Sequence, residues 1–194
     1  QNAKECYEKA IEINPNYADA HYNLGIIFKT LKDYRKAKEC YEKVIAINPN
    51  NADAYNNLGN EFVTLGENQK AKECYDKAIE INPKYTLAYN NLGIIFKELG
   101  ENQKAKNCFE KIIEINPNYK NAHNSLAIIF EKLGEIHKAK SCYEKAIEID
   151  PNYAKAHTNL GIIFKALKDY QKAKSCYEKA IAINPNYSQA HNNL

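Results

Sequence analysis

Apolar residues along this chain recur at spacings of three and four, and the pattern then repeats itself. In residues 18–51, Ala20, Leu24, Ile27, Phe28 and Leu31 fall on one face of a helix. After Lys32-Asp33 a second set, Ala37, Tyr41, Val44, Ile45 and Ile47, does the same. The spacing predicts a helix A over roughly 18–31 and a helix B over roughly 34–47, joined by a tight turn. Asn48-Pro49-Asn50 closes helix B, because proline cannot extend the hydrogen-bond ladder and disfavours helix in the residue before it. In other stretches the A-to-B turn reads Gly66-Glu67, Gly100-Glu101 and Gly134-Glu135, a glycine that suits a helix C-terminus and an acid that suits the next N-terminus. Asn16 with Asp19, and Asn50 with Asp53, are the expected caps of the helices A that follow.

Register is kept by Pro15, Pro49, Pro83, Pro117, Pro151 and Pro185, each 34 residues after the last. The chain therefore reads as one array. Residues 1–17 are helix B of a partial unit, 18–51, 52–85, 86–119, 120–153 and 154–187 are five complete units, and 188–194 begin a further helix A. Neither end shows the polar outer face of a terminal repeat, so the protein is expected to continue on both sides, and head-to-tail self-association of the isolated array is expected.

Composition narrows the function. A net charge of +3 spread over 194 residues argues against a nucleic-acid surface, and no apolar run is long enough to span a membrane. Cys6, Cys40, Cys74, Cys108, Cys142 and Cys176 are one position repeated, expected about 10 Å apart in stacked units, too far for disulfides or a shared metal. Thiols in every unit suit a reducing, cytoplasmic setting. His21, His123, His157 and His191 also recur in register, as packing residues. No phosphate loop, nucleophile elbow or zinc-binding helix is present, so the reading is a non-enzyme without catalytic residues, metal or cofactor.

His21, Leu24, Gly25, Phe28, Ala37, Tyr41 and Pro49 together resemble the tetratricopeptide repeat, and the match recurs through His157, Leu160, Gly161, Phe164, Ala173, Tyr177, Ala180 and Pro185. Ala127 stands where the other units have glycine. The resemblance implies an all-α fold, a right-handed superhelical solenoid of antiparallel helix pairs whose helices A line a concave wall. It implies a non-catalytic scaffold for protein–protein interaction.

On that wall Asn23, Asn57, Asn91, Asn159 and Asn193 each precede the leucine, with Ser125 the exception. They resemble the asparagine ladder in the repeats of O-linked N-acetylglucosamine transferase. No packing role for them is evident from the sequence. A carboxamide both donates and accepts, so it can read a peptide backbone whatever the side chains, and rungs about 10 Å apart match about three residues of extended chain. The expected partner is an extended or disordered protein segment. Ile26, Ile94, Ile128 and Ile162 add apolar contacts, Asn60 interrupts them, and Tyr22 completes the candidate surface. The lysine and arginine clamp of chaperone adaptors in the family is missing: the residue two before leucine is Tyr22, Asn56, Asn90, Asn124, Thr158 or Asn192. Two other readings fit the same residues, a substrate-recruiting arm of a larger enzyme such as a glycosyltransferase, and a self-assembling structural array.

Overall fold

The computed structural model describes residues 2–194, with side chains from Ala3 onward. These residues form helices only: α1 Asn2–Ile13, α2 Ala18–Thr30, α3 Tyr34–Ile47, α4 Ala52–Thr64, α5 Asn68–Ile81, α6 Thr86–Glu98, α7 Asn102–Ile115, α8 Lys120–Lys132, α9 Ile136–Ile149, α10 Ala154–Ala166, α11 Tyr170–Ile183 and α12 Ser188–Asn193. None is long and apolar enough to cross a membrane. The chain divides into two compact units, one ending at Ile95 and the other covering Phe96–Leu194. In the first, α1 packs on α2, α2 on α3, α3 on α4 and α4 on α5; in the second, each helix from α7 to α12 packs on the next. The expected helices A and B emerge as α2 and α3. Leu31, counted with the apolar face, instead follows α2 as its C-cap and is 63% exposed.

The core explains the sequence pattern. Tyr41, Tyr75, Tyr143 and Tyr177, one from each of α3, α5, α9 and α11, are sealed inside. The glycine after the leucine makes room for the ring: a Cβ on Gly25 would lie 2.8 Å from Tyr41, one on Gly59 2.6 Å from Tyr75, and one on Gly161 2.4 Å from Tyr177. The histidines pack and also hold the chain. Nε2 of His21, His123 and His157 lies 2.8, 2.8 and 2.9 Å from the carbonyl oxygens of Pro15, Pro117 and Pro151. A carbonyl only accepts, so each imidazole carries its proton on Nε2 there.

Turn chemistry departs from expectation in two places. Asn51, not Asn50, caps α4, accepting from the Ala54 N–H at 2.9 Å, while α2 has no side-chain cap. Asn16 and Asn50 are donors instead: their N–H groups bond Oδ1 of Asn14 and Asn48, and the same turn recurs at Asn82, Asn116, Asp150 and Asn184. The asparagine before each proline, or Asp150 before Pro151, thus holds the junction between units by bonding the backbone two residues on. At the A-to-B turn Gly66, Gly100 and Gly134 have φ of 80°, 75° and 75°, and Lys32 and Lys168 take the same left-handed conformation.

Several lysines on the second helices pair with an acid on the same helix, as Lys38 does with Glu42 and Lys111 with Glu114. Lys77 bonds Glu80 at 2.9 Å, whereas Glu73 accepts from Gln69. Burial pushes the thiols of Cys40 and Cys142 up to about 11 and that of Cys74 to about 12, so they stay protonated near neutrality.

Candidate functional site

The asparagines before leucine are stitched to the neighbouring first helix. Asn57 of α4 donates through Nδ2 to the Tyr22 hydroxyl of α2 at 2.9 Å. Asn91 of α6 donates to Oδ1 of both Asn56 and Asn60 of α4, each at 3.0 Å. In the second unit Asn159 of α10 donates to Oδ1 of Asn124 of α8 at 3.2 Å. The residue two before leucine is therefore the acceptor for the rung one unit later, and the packing role that the sequence hid is this inter-helix bond. Asn23 differs, turning its Nδ2 back to the Asp19 carbonyl of its own helix at 2.9 Å.

Tyrosines from the second helices reach the same face. The Tyr75 hydroxyl donates to Asn60 Oδ1 at 2.8 Å, so Asn60, which breaks the isoleucine row in sequence, is a node receiving two donors. The Tyr143 hydroxyl donates to Glu131, and Asn159 also hydrogen-bonds that hydroxyl. Burial holds the Glu131 carboxyl above the ordinary carboxylate range, with the Tyr143 bond opposing. Tyr22 packs edge-on against Tyr41, ring centroids 5.8 Å apart. Burial raises the Tyr22 hydroxyl, and the Asp53 charge adds to that.

Exposure grades the candidate residues. Ile26 is exposed at 41%, whereas Ile94, Ile128 and Ile162 are half-covered and offer only part of the apolar surface expected of them. Tyr22, Asn23, Asn57, Asn60, Asn91 and Asn193 are half-buried, and Asn159 is buried. Among the described residues no protein group donates to the side-chain oxygens of Asn57, Asn91 and Asn159. The structure brings Tyr22 and Asn57 together, and Asn60 with Asn91. Asn193 lies in α12 near the end of the chain.

Glu61 was missed. It is 1% exposed on α4, neither carboxylate oxygen has a hydrogen-bond partner, and the nearest cation, Lys29 Nζ, is 3.9 Å from Oε1. Burial raises its pKa, with Lys29 opposing. Ile27, Ile95, Ile129 and Ile163 occupy the same place in the other units, and that substitution was the available signal. No grouping of histidine, cysteine or acid side chains able to hold a metal occurs among the described residues. Open clefts lie elsewhere. One of about 640 Å³ is bounded by Ile11, Pro15, His21 and Ile47, and another of about 400 Å³ by Phe62, Lys70, Cys74 and Lys77.

Comparison with solved structures agrees with this architecture. The chain is similar to YrrB, described as a TPR protein with an unusual peptide-binding site, at 25% identity and a TM-score of 0.77 over 97% of each chain. It is similar to MamA at 26% identity and a TM-score of 0.76, covering 86% of this chain and 97% of that one. PilF of Pseudomonas aeruginosa, at 24% identity, shares the fold with a TM-score of 0.84 over 98% of this chain and 88% of its own. No curated protein sequence matches. The tetratricopeptide repeat model matches residues 18–51, 52–85, 86–119, 121–153 and 154–187, and a second TPR model matches 1–32. The chain belongs to the tetratricopeptide repeat family.

Proposed function

We propose that this chain is a non-catalytic scaffold that holds an extended protein segment along its first-helix face. One observation carries the reading: Asn57, Asn91 and Asn159 spend Nδ2 on the neighbouring helix, and their Oδ1 atoms have no donor among the described residues. Each carboxamide is thereby fixed in orientation and presents an acceptor suited to a backbone N–H. The rung accepts more than it donates, which refines the two-way pairing expected from a free carboxamide. YrrB, of similar architecture, is described as having a peptide-binding site, and that supports a peptide as the class of ligand.

The test uses an unbiased library of extended synthetic peptides on the wild-type protein. Selected binders are then compared with copies methylated at backbone nitrogens and with copies altered in side chains. Backbone methylation should cost more than side-chain change. Asn57→Ala and Asn91→Ala should each weaken binding about 2- to 12-fold, the equivalent of one net hydrogen bond of about 0.5–1.5 kcal/mol. These asparagines also stitch helices, so binding is measured well below each variant's melting temperature. Equal affinity of wild type and the double variant, both fully folded, would refute the reading.

A further inference from the structure

One position of the second helices behaves differently from repeat to repeat. Across the five complete repeats it is Lys43, Lys77, Lys111, Lys145 and Lys179. Residues three apart on a helix face one another, and in the middle three repeats the residue three on is a glutamate. Lys77 donates to Glu80 at 2.9 Å, Lys111 to Glu114 at 2.8 Å and Lys145 to Glu148 at 2.7 Å. The first and last complete repeats have Ala46 and Ala182 there instead. Lys43 and Lys179 have no ion-pair partner among the described residues, and each borders an open cleft. The cleft at Lys43, about 640 Å³, is walled by Ile11, Pro15, His21, Ala46 and Ile47. The cleft at Lys179, about 360 Å³, is walled by the same residue types four repeats later, Ile147, Pro151, His157, Ala182 and Ile183. Other surface lysines also stand unpaired. These two are set apart by a position that meets a carboxylate in three sister repeats and by the apolar cleft that each borders.

We propose that each cleft binds a small monocarboxylate with an aliphatic body, its carboxylate meeting the lysine as glutamate does in the middle repeats. Clefts of about 300–1,000 Å³ with mostly apolar walls and a few polar anchors are the ordinary form of a small-molecule site. Here an isoleucine from each of two second helices, α1 and α3 or α9 and α11, and the proline between repeats offer hydrocarbon to the body. One ammonium at the rim offers a single positive charge, so a ligand with one negative end matches the lining. Nε2 of His21 and His157 is held by the carbonyls of Pro15 and Pro151, which fixes each ring as a wall of its cleft. The clefts share no residue with the asparagine rungs, and this binding is separate from that of an extended segment.

Octanoate is the probe, titrated below its micelle-forming concentration into the isotope-labelled wild-type chain at about 50 mM salt and followed by backbone amide resonances. Saturable shifts are expected in residues 43–47 and 179–183, with little change in the equivalent 77–81, 111–115 and 145–149, where glutamate already holds the lysine. Hexanoate, two methylenes shorter, should bind about tenfold more weakly, and octylamine should leave these residues unshifted. Lys43→Gln should weaken binding at its own cleft about 2- to 5-fold, the scale of an exposed ion pair, and leave the other cleft untouched. Ala46→Glu restores the pairing of the middle repeats and should abolish the response of residues 43–47 while that of 179–183 persists. Equal shifts in all five segments, or octylamine binding as well as octanoate, would overturn the proposal, as would wild-type binding by Ala46→Glu with unchanged circular dichroism. A helical peptide carrying glutamate between leucines that shifts residues 43–47 where octanoate does not would refute a small molecule as the occupant.

Discussion

Replacing Glu61 should stabilise the protein. Its side chain is 1% exposed, neither oxygen is hydrogen-bonded, and Lys29 approaches only to 3.9 Å from a position 43% exposed. Attraction across such a gap, from an ammonium that keeps its water, does not recover the cost of desolvating a carboxylate. The site is shaped for a hydrocarbon: Ile95, Ile129 and Ile163 fill its equivalents at 3%, 0% and 1% exposure. Exchanging a buried ion for a well-packed apolar group of similar size is worth about 1–4 kcal/mol in favourable cases. Glu61→Ile at about 2 kcal/mol would raise the melting temperature by about 4–8 °C for a chain of this size. Because repeat arrays need not unfold in one step, native-state hydrogen exchange across α4 should accompany the melt. The pH dependence gives a second reading. The folded pKa is raised, so the folded state binds the proton more tightly, and stability falls as pH rises from the unfolded value of about 4.3 through the folded one. The advantage of Glu61→Ile over wild type should be full near neutrality and shrink as pH drops toward about 4. A variant less stable than wild type at neutral pH, or an advantage independent of pH, would refute the argument that an unpaired charge is the cause.

Two further comparisons use the internal repetition as its own control. Tyr75→Phe removes the donor to Asn60 and should cost about 0.5–1.5 kcal/mol in chemical denaturation, whereas Tyr41→Phe removes a buried hydroxyl that has no partner and should be neutral or stabilising. Lys168→Gly should stabilise by about 0.5–1 kcal/mol, because lysine there is held at φ 62° where Gly66, Gly100 and Gly134 serve elsewhere; equal or lower stability in the same denaturation would count against it.

The helix pairs and their period were legible because periodicity and proline register act locally and repeat. Helix B over 34–47 emerges unchanged as α3. What stayed hidden depends on contacts one unit apart. The bond from Asn57 to Tyr22 joins residues 35 apart, and no local pattern marks a carboxamide as already engaged. The richness in asparagine obscured this further, since those before proline hold turns and those before leucine hold helices, from the same residue type. The isoleucines were expected on an open wall, but of the four only Ile26 remains exposed, and Ile94, Ile128 and Ile162 are half-covered.

In the proposed reading, stitching and recognition are linked through the same side chains. A free asparagine on a surface loses rotamer entropy when it binds, at roughly 0.5–1.5 kcal/mol for an immobilised side chain, close to what one net hydrogen bond returns. Asn57, Asn91 and Asn159 have already met that cost in the folded chain through Nδ2, so in the proposed reading an incoming N–H would gain most of the bond. Locking requires an acceptor two before leucine in the preceding unit, which Tyr22, Asn56 and Asn124 supply. Among the described residues no such bond reaches Thr158, whose hydroxyl donates to the Ala154 carbonyl of its own helix at 3.1 Å, and Asn23 donates to the Asp19 carbonyl in the same way. The asparagines before leucine are therefore unequal. Asn57, Asn91 and Asn159 are each held by an acceptor 35 positions earlier on the neighbouring first helix, whereas Asn23 is held only within its own helix, and in the proposed reading the residue 35 positions before a rung sets how firmly that rung is oriented for a ligand.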